Sequence, residues 1–315
     1  MSAVHVSPEI PEGGFTPVSI DSEMWPKVWT SDVAEPTKTL GRSITSIAGF
    51  HEWRNHLYWG VFCPNYYVLS TAQSTYGSLT SPDALAFILG NYRTPSFWRI
   101  DKDNNYELLY GDTTNPKPVY DKEGKIENWE LEPSGLEAKW GRGGFGNLWT
   151  IYIWAIQEYD GNMYVGTMDL SNLADAAGSN LVGDASFATL SKLLTGLDAS
   201  DEGFELLRMT DEEEAPKYIT ENGFNNAQQY GVRNLEVLDG RLMLGSASMS
   251  SLKPNGGWHV LSITDDKNSA SVSQSMIKKP GIIMERNAGY INLATVGGER
   301  ITAIEAVSYT HLRAH

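Results

Sequence analysis

Gly141-Arg142-Gly143-Gly144-Phe145-Gly146 spells GxGxxG, a pattern that cradles phosphates when it joins a strand to a helix. The segment that follows, Leu148 to Tyr159, is aromatic and β-branched, so a glycine-rich turn between strands is expected instead. His51-Glu52-Trp53-Arg54-Asn55-His56 approaches the HExxH zinc spacing, but its histidines are five apart rather than four. On a strand, positions 51 and 56 face opposite sides, which argues against a shared metal. Asp101, Asp103, Asn105 and Asp112 approximate a calcium loop, yet Tyr106 stands where the sharp turn needs glycine and Asp112 replaces the bidentate glutamate, so a polar hairpin turn is favoured. The acidic run Asp211 to Glu214 reads as a solvated loop.

Nucleophilic chemistry finds little support. No GxSxG elbow is present, and His259 is the single histidine outside the ends of the chain and the 51–56 segment. Five residues remain as candidates for binding or for lining a cleft: Arg233, Asn234, His259, Asp169 and Asp239. Arg233 and Asn234 stand out because an earlier copy of the same repeat has Trp154 and Ala155 there; the simplest role for Arg233 is to pair with a carboxylate between repeats. Paired carboxylates of glycosidic type cannot be picked from 39 acidic residues without geometry. No cofactor and no metal site is implied.

These residues sit within a repeat. Ile47, Phe50, Trp53, Arg54, Asn55, Leu57, Tyr58 and Gly60 match Ile153, Ile156, Tyr159, Asp160, Gly161, Met163, Tyr164 and Gly166 at identical spacing, and a third copy runs from Val232 to Gly245. Asp160-Gly161 and Asp239-Gly240 lie between apolar runs, the sequence signal of a two-residue hairpin turn. Gly144-Phe145-Gly146-Asn147 and Gly223-Phe224-Asn225-Asn226 precede the second and third hairpins in the same register. Aromatic-led strands follow at Phe97, Phe204 and Trp258. Antiparallel units of this kind specify an all-β fold, a β-propeller-like array of three- to four-stranded units with helical loop insertions. The insertions are expected at 61–96, where Ser81-Pro82-Asp83 opens a short helix ended by Gly90, and at 167–203, where Phe187, Leu190, Leu193, Leu194 and Leu197 share a helical face.

Composition narrows the partners. Thirty-nine acidic against 24 basic residues give a net charge of −15, which disfavours phosphate-backbone binding and hence nucleic acid. No apolar run is long enough to span a membrane as a helix. Cys63 is the one cysteine, so neither an internal disulfide nor a cysteine cage is possible. Abundant aromatics with acidic excess fit an extracellular or cell-surface setting.

The Gly-Phe-x-Asn loop, Gly231-Val232-Arg233, the Asp-Gly turn, Leu242 to Gly245 and Gly256-Gly257-Trp258 together resemble repeats of large, uncharacterised bacterial β-propeller-like proteins over about 43–265. The resemblance implies a fold and no activity. The expected organisation is an extended lead-in or partial blade over 1–42, repeats at about 43–110, 144–222 and 223–275, and a partial fourth at 276–306 that begins with strands at Gly281 and Tyr290. Val307 to His315 is similar to translated sequencing-adaptor read-through, so 315 residues is expected to be an incomplete count of repeats. Two functions compete: a non-enzymatic binding or surface protein engaging glycan or protein through its decorated rim, and a propeller enzyme acting on polysaccharide or another extracellular substrate. Convergence of two or more of Arg233, His259, Asp169 and Asp239 on one cleft would favour the enzyme, and dispersal around the outer surface would count against it.

Overall fold

Two consecutive left-handed residues close each hairpin of the repeat: Arg54 and Asn55 (φ 48° and 68°), Asp160 and Gly161 (49° and 77°), Asp239 and Gly240 (50° and 69°). That backbone suits the twist of the flanking strands and explains the Asp-Gly pairs. The computed structural model describes residues 3–7, 12–13, 25–31, 46–63, 93–172, 202–248, 256–263, 282–287, 290–295 and 300–305. The helices expected over 81–90 and 187–197, and the terminal stretch 307–315, lie outside them.

The fold is all-β and propeller-like. After β1 (Ala3–His5) and β2 (Lys27–Thr30), the first repeat is a four-stranded antiparallel meander of β3 (Ser46–Trp53), β4 (His56–Phe62), β5 (Phe97–Asp101) and β6 (Tyr106–Tyr110). β7 (Thr114–Tyr120) and β8 (Ile126–Pro133) form a separate hairpin. The second repeat is a second meander: β9 (Thr150–Tyr159), β10 (Asn162–Asp169), β11 (Leu206–Met209) and β12 (Lys217–Thr220). The third begins with β13 (Gln229–Leu238) and β14 (Arg241–Ser248).

The chain divides into two compact bodies, 1–236 with 245–259, and 237–244 with 260–315. The second body holds the tip of the β13–β14 hairpin, β15 (Val260–Ile263), and an antiparallel sheet of β16 (Ile282–Asn287), β17 (Tyr290–Thr295) and β18 (Arg300–Glu305). The strands expected at Gly281 and Tyr290 therefore gain a third partner.

In the first body, successive repeats meet through glycine. A Cβ on Gly60 would overlap the side chain of Ile153, and one on Gly166 would overlap Val232. Ile153 and Val232 are the first matched positions of the second and third copies, so each of these two copies seats a β-branched side chain on the last matched glycine of the copy before it. The preceding loops repeat as well. Gly144, Phe145 and Gly146 have φ of 63°, 56° and 95°, and Gly223, Phe224 and Asn225 have 60°, 59° and 60°. The N–H of Gly144 donates to Pro95 O at 2.7 Å, and that of Gly223 to Phe204 O at 2.9 Å, hooking each loop to the preceding repeat. The GxGxxG letters thus spell a left-handed turn that leads into strand β9.

The joint encloses the core. Trp53, Tyr58, Phe97, Phe145, Ile153 and Met163 are buried in one cluster between the first two repeats. On the other face of the first repeat, Val4 and Trp29 of the β1–β2 ribbon cover Trp59 and Trp98, with Trp29 edge-on to both at 5.4 and 5.5 Å. The acidic run is exposed at Asp211, Glu213 and Glu214, yet two of its members are held by partners. Glu212 accepts from Tyr58 at 3.2 Å and pairs with His56 at 2.6 Å, while buried Arg99 donates to Glu212 O at 2.7 Å and to Glu213 at 3.0 Å.

One correction concerns register. Phe97 lies opposite Gly60, whereas Leu206 lies opposite Gly166, so the counterpart of Phe97 is Leu206 and the aromatic-led match is displaced by two residues.

The glycine seat predicts unequal tolerance. Gly166→Ala should lower unfolding free energy by about 1–3 kcal/mol, the usual cost of overpacking. Gly245→Ala, whose Cβ would sit 3.5 Å from Asn234, should change it by less than about 0.5 kcal/mol. Urea denaturation of both variants checks this, and equal losses would contradict the seat.

Candidate functional site

The ends of β4, β10 and β14 and the starts of β5, β9, β11 and β13 share one rim of the first body, the rim from which the long connections 63–93 and 170–203 depart. Two polar or aromatic groupings lie there.

The first is a buried carboxyl pair, Asp169 at the end of β10 and Glu205 just before β11, 0 % and 1 % exposed. Asn147, delivered by the left-handed loop, bridges them: its Nδ2 donates to Asp169 Oδ2 at 2.7 Å and also to Glu205 Oε1. Its own Oδ1 accepts the N–H of Trp149 at 2.7 Å, which fixes the amide's orientation. Glu205 also accepts from Thr150 at 3.0 and 3.1 Å and from Thr167. Asp169 accepts from the backbone and hydroxyl of Ser171. The hydrogen-bond partners of the Glu205 carboxyl are thus neutral. Burial first, and the nearby Asp169 second, push it from an ordinary 4.5 up to about 8.

The surroundings of Glu205 belong to the repeat, and its carboxyl group does not. The Thr167 hydroxyl accepts the N–H of Glu205 at 3.0 Å, as the Ser246 hydroxyl accepts that of His259 at 2.8 Å in the third copy. Thr150 corresponds to Gln229, whose Oε1 accepts from the Ser246 hydroxyl, whereas Thr150 donates to Glu205. His259 therefore stands where Glu205 stands, and the second copy alone places an acid there.

The second grouping is an aromatic strip across the repeat joints. Phe62 and Tyr152, paired in register, have ring centroids 4.7 Å apart; Tyr152 and Trp154 stack at 5.0 Å and 17°; the Arg233 guanidinium lies 5.0 Å above Trp154. All three rings are half-buried and Arg233 is exposed. Gly231 makes room for the indole, since a Cβ there would lie 2.7 Å from it.

The four predicted residues of the first body have separate surroundings, and the fifth lies in the second body. Asp169 joins the carboxyl pair. Arg233 lies over the Trp154 ring, and among the described residues no carboxylate pairs with it. Asn234 is exposed beside Gly245. His259 is half-buried and held by its backbone to Ser246. Asp239 occupies the hairpin turn in the second body. Asp101 builds its turn by accepting the N–H groups of Asp103 and Asn105 at 2.8 and 2.9 Å. His51 accepts the N–H of Glu158 at 3.0 Å, and His56 engages Glu212 instead. Sequence reasoning missed Glu205, Thr150 and the strip; the i, i+2 pair Tyr152 and Trp154 was the available signal for the last. Among the described residues, no helix is long and apolar enough to cross a membrane.

No family model and no curated protein matches the chain. Similar solved structures include a Bacteroides ovatus xyloglucan-locus GH43B protein (8 % identity, TM-score 0.25, 78 % of this chain and 34 % of that one). They also include the exo-β-1,3-galactanase 1,3Gal43A from Clostridium thermocellum (15 %, TM-score 0.29, 83 % and 45 %). A third is the GH43 β-1,3-galactosidase BT3683 with galactodeoxynojirimycin (8 %, TM-score 0.27, 79 % and 81 %). The chain spans about a third of the first and under half of the second.

A raised carboxyl pKa ties stability to pH. The folded protein holds the Glu205 proton more tightly than the unfolded chain, so this contribution is full below about 4.5 and is lost as pH rises towards about 8. Glu205→Gln, which mimics the protonated acid, should flatten the decline in unfolding free energy across that window. Parallel curves for variant and wild type would show that Glu205 is ionised in the fold.

Proposed function

We propose that this protein binds glycans non-enzymatically along the aromatic strip of the rim. The observation that carries the reading is the half-buried run Phe62, Tyr152 and Trp154 ending in exposed Arg233. Saccharides need apolar surface for their C–H faces and hydrogen-bond donors for their hydroxyls, and the strip offers both in line. An aromatic row left partly open at a rim also departs from the usual burial of such side chains.

A second reading, an enzyme acting on polysaccharide, is favoured by one observation: Asp169 and Glu205 form a carboxyl pair bridged by Asn147, where burial raises the pKa of Glu205. Its weakness is the burial of both groups.

The two separate in one set of assays. Under the binding reading, the protein retards on polysaccharide affinity gels, Trp154→Ala weakens binding at least about tenfold with unchanged folding, and no reducing ends are released. Reducing ends that vanish in Glu205→Gln would replace this reading with the enzyme. Unretarded migration on every neutral polysaccharide tested would overturn it.

A further inference from the structure

A small cavity of the first repeat at the same rim enters neither reading above. It lies between the ends of β4 and β6 and the residues before β5, where the 63–93 connection departs and returns, and its walls include Arg93, Thr94, Ser96, Trp98, Asp112 and Leu136. Its volume is about 20 Å³. One water needs about 10–15 Å³, so it admits one or two non-hydrogen atoms of a ligand. Ser96, Asp112 and Leu136 are half-buried and form its mouth; Arg93, Thr94 and Trp98 are buried behind them.

Two oxygens of these walls are buried without a hydrogen-bond partner: Thr94 Oγ1, on a residue 5 % exposed, and Asp112 Oδ2. Buried polar atoms left unmatched are costly and point to a group that completes them. The charges define that group. Arg93 Nη1 stands 4.0 Å from Asp112 Oδ2, and Arg142 Nε 3.6 Å from Asp112 Oδ1. A cation entering would face Arg93, and an anion would face Asp112. A neutral hydroxyl suits both, since it donates to Asp112 and accepts from a threonine or serine hydroxyl. The Ser96 hydroxyl already accepts Trp98 Nε1–H at 2.8 Å, which leaves its own hydrogen to donate. Trp98 and Leu136 supply apolar walls for a carbon beside that hydroxyl.

We infer that this cavity seats the exocyclic hydroxymethyl group of a neutral hexose in a bound glycan, making Thr94 and Asp112 residues that select hexose over pentose. The inference rests on the glycan-binding reading and adds a selectivity that reading does not require.

The test uses matched oligosaccharides that differ by the hydroxymethyl group, hexose-built and pentose-built, titrated calorimetrically into the whole chain. Wild type should prefer the hexose form by about tenfold or more, because a polar site loses its hydrogen bonds to an analogue lacking the hydroxyl. Asp112→Asn and Thr94→Val should reduce the preference below about threefold by weakening hexose binding alone, while Thr94→Ser, which keeps the hydroxyl, should retain it. Equal affinity in wild type, or a preference surviving both variants, overturns the cavity's role and leaves glycan binding on the strip intact. Failure of both sugars to bind overturns the two proposals together.

Discussion

Everything at the rim depends on how one repeat meets the next. The joint has two parts that recur: a β-branched residue seated on a glycine of the preceding repeat, and a left-handed Gly-Phe loop whose first N–H is held by that repeat's backbone. Close packing leaves little slack in such a contact, because interiors are packed at crystal-like density. A strand brought this near can meet its neighbour only where a side chain is missing. The glycines are therefore conditions for the approach of β9 to β4 and of β13 to β10.

Both groupings at the rim follow from that approach. Phe62 meets Tyr152 across the first joint, and Trp154 meets Arg233 across the second. Trp154 and Arg233 occupy equivalent positions in successive copies, so the repeat itself sets two such side chains against each other. The same left-handed loop carries Asn147 to the carboxyl pair, and its counterpart Asn226 caps the N–H of Gln228 in the third copy, as Asn147 caps that of Trp149. The hydroxyls Thr167 and Ser246 secure the residues before the third strands. A structural device shared by the copies has thus acquired an acid at one of them, and that substitution sets Glu205 apart.

The hairpins and their register were legible because a two-residue turn demands particular residues at fixed positions, and the copies kept their spacing. The Gly-Phe loops were legible as repeats, although their left-handed run was not. The glycines within β4 and β10 were visible in the sequence without their reason, which lies in a neighbouring strand. Glu205 was invisible for a different cause: it follows a connection of variable length and is one acid among 39. Asp169 was nominated as a cleft residue and is buried instead, because burial depends on what packs over the end of β10. Arg233 departs from its counterpart Trp154, and it is that counterpart's ring, in the preceding repeat, over which its guanidinium lies.

A double-mutant cycle on the seat between the second and third repeats tests the joint most directly. Val232→Gly clears the β carbon and both γ carbons that the new methyl group of Gly166→Ala would strike, so the two changes should compensate. The predicted result is a double variant more stable than the sum of the single losses by at least about 1 kcal/mol, within the range of contacting residues. Additivity within about 0.5 kcal/mol, as found for distant sites, would contradict the seat on which the rim is built.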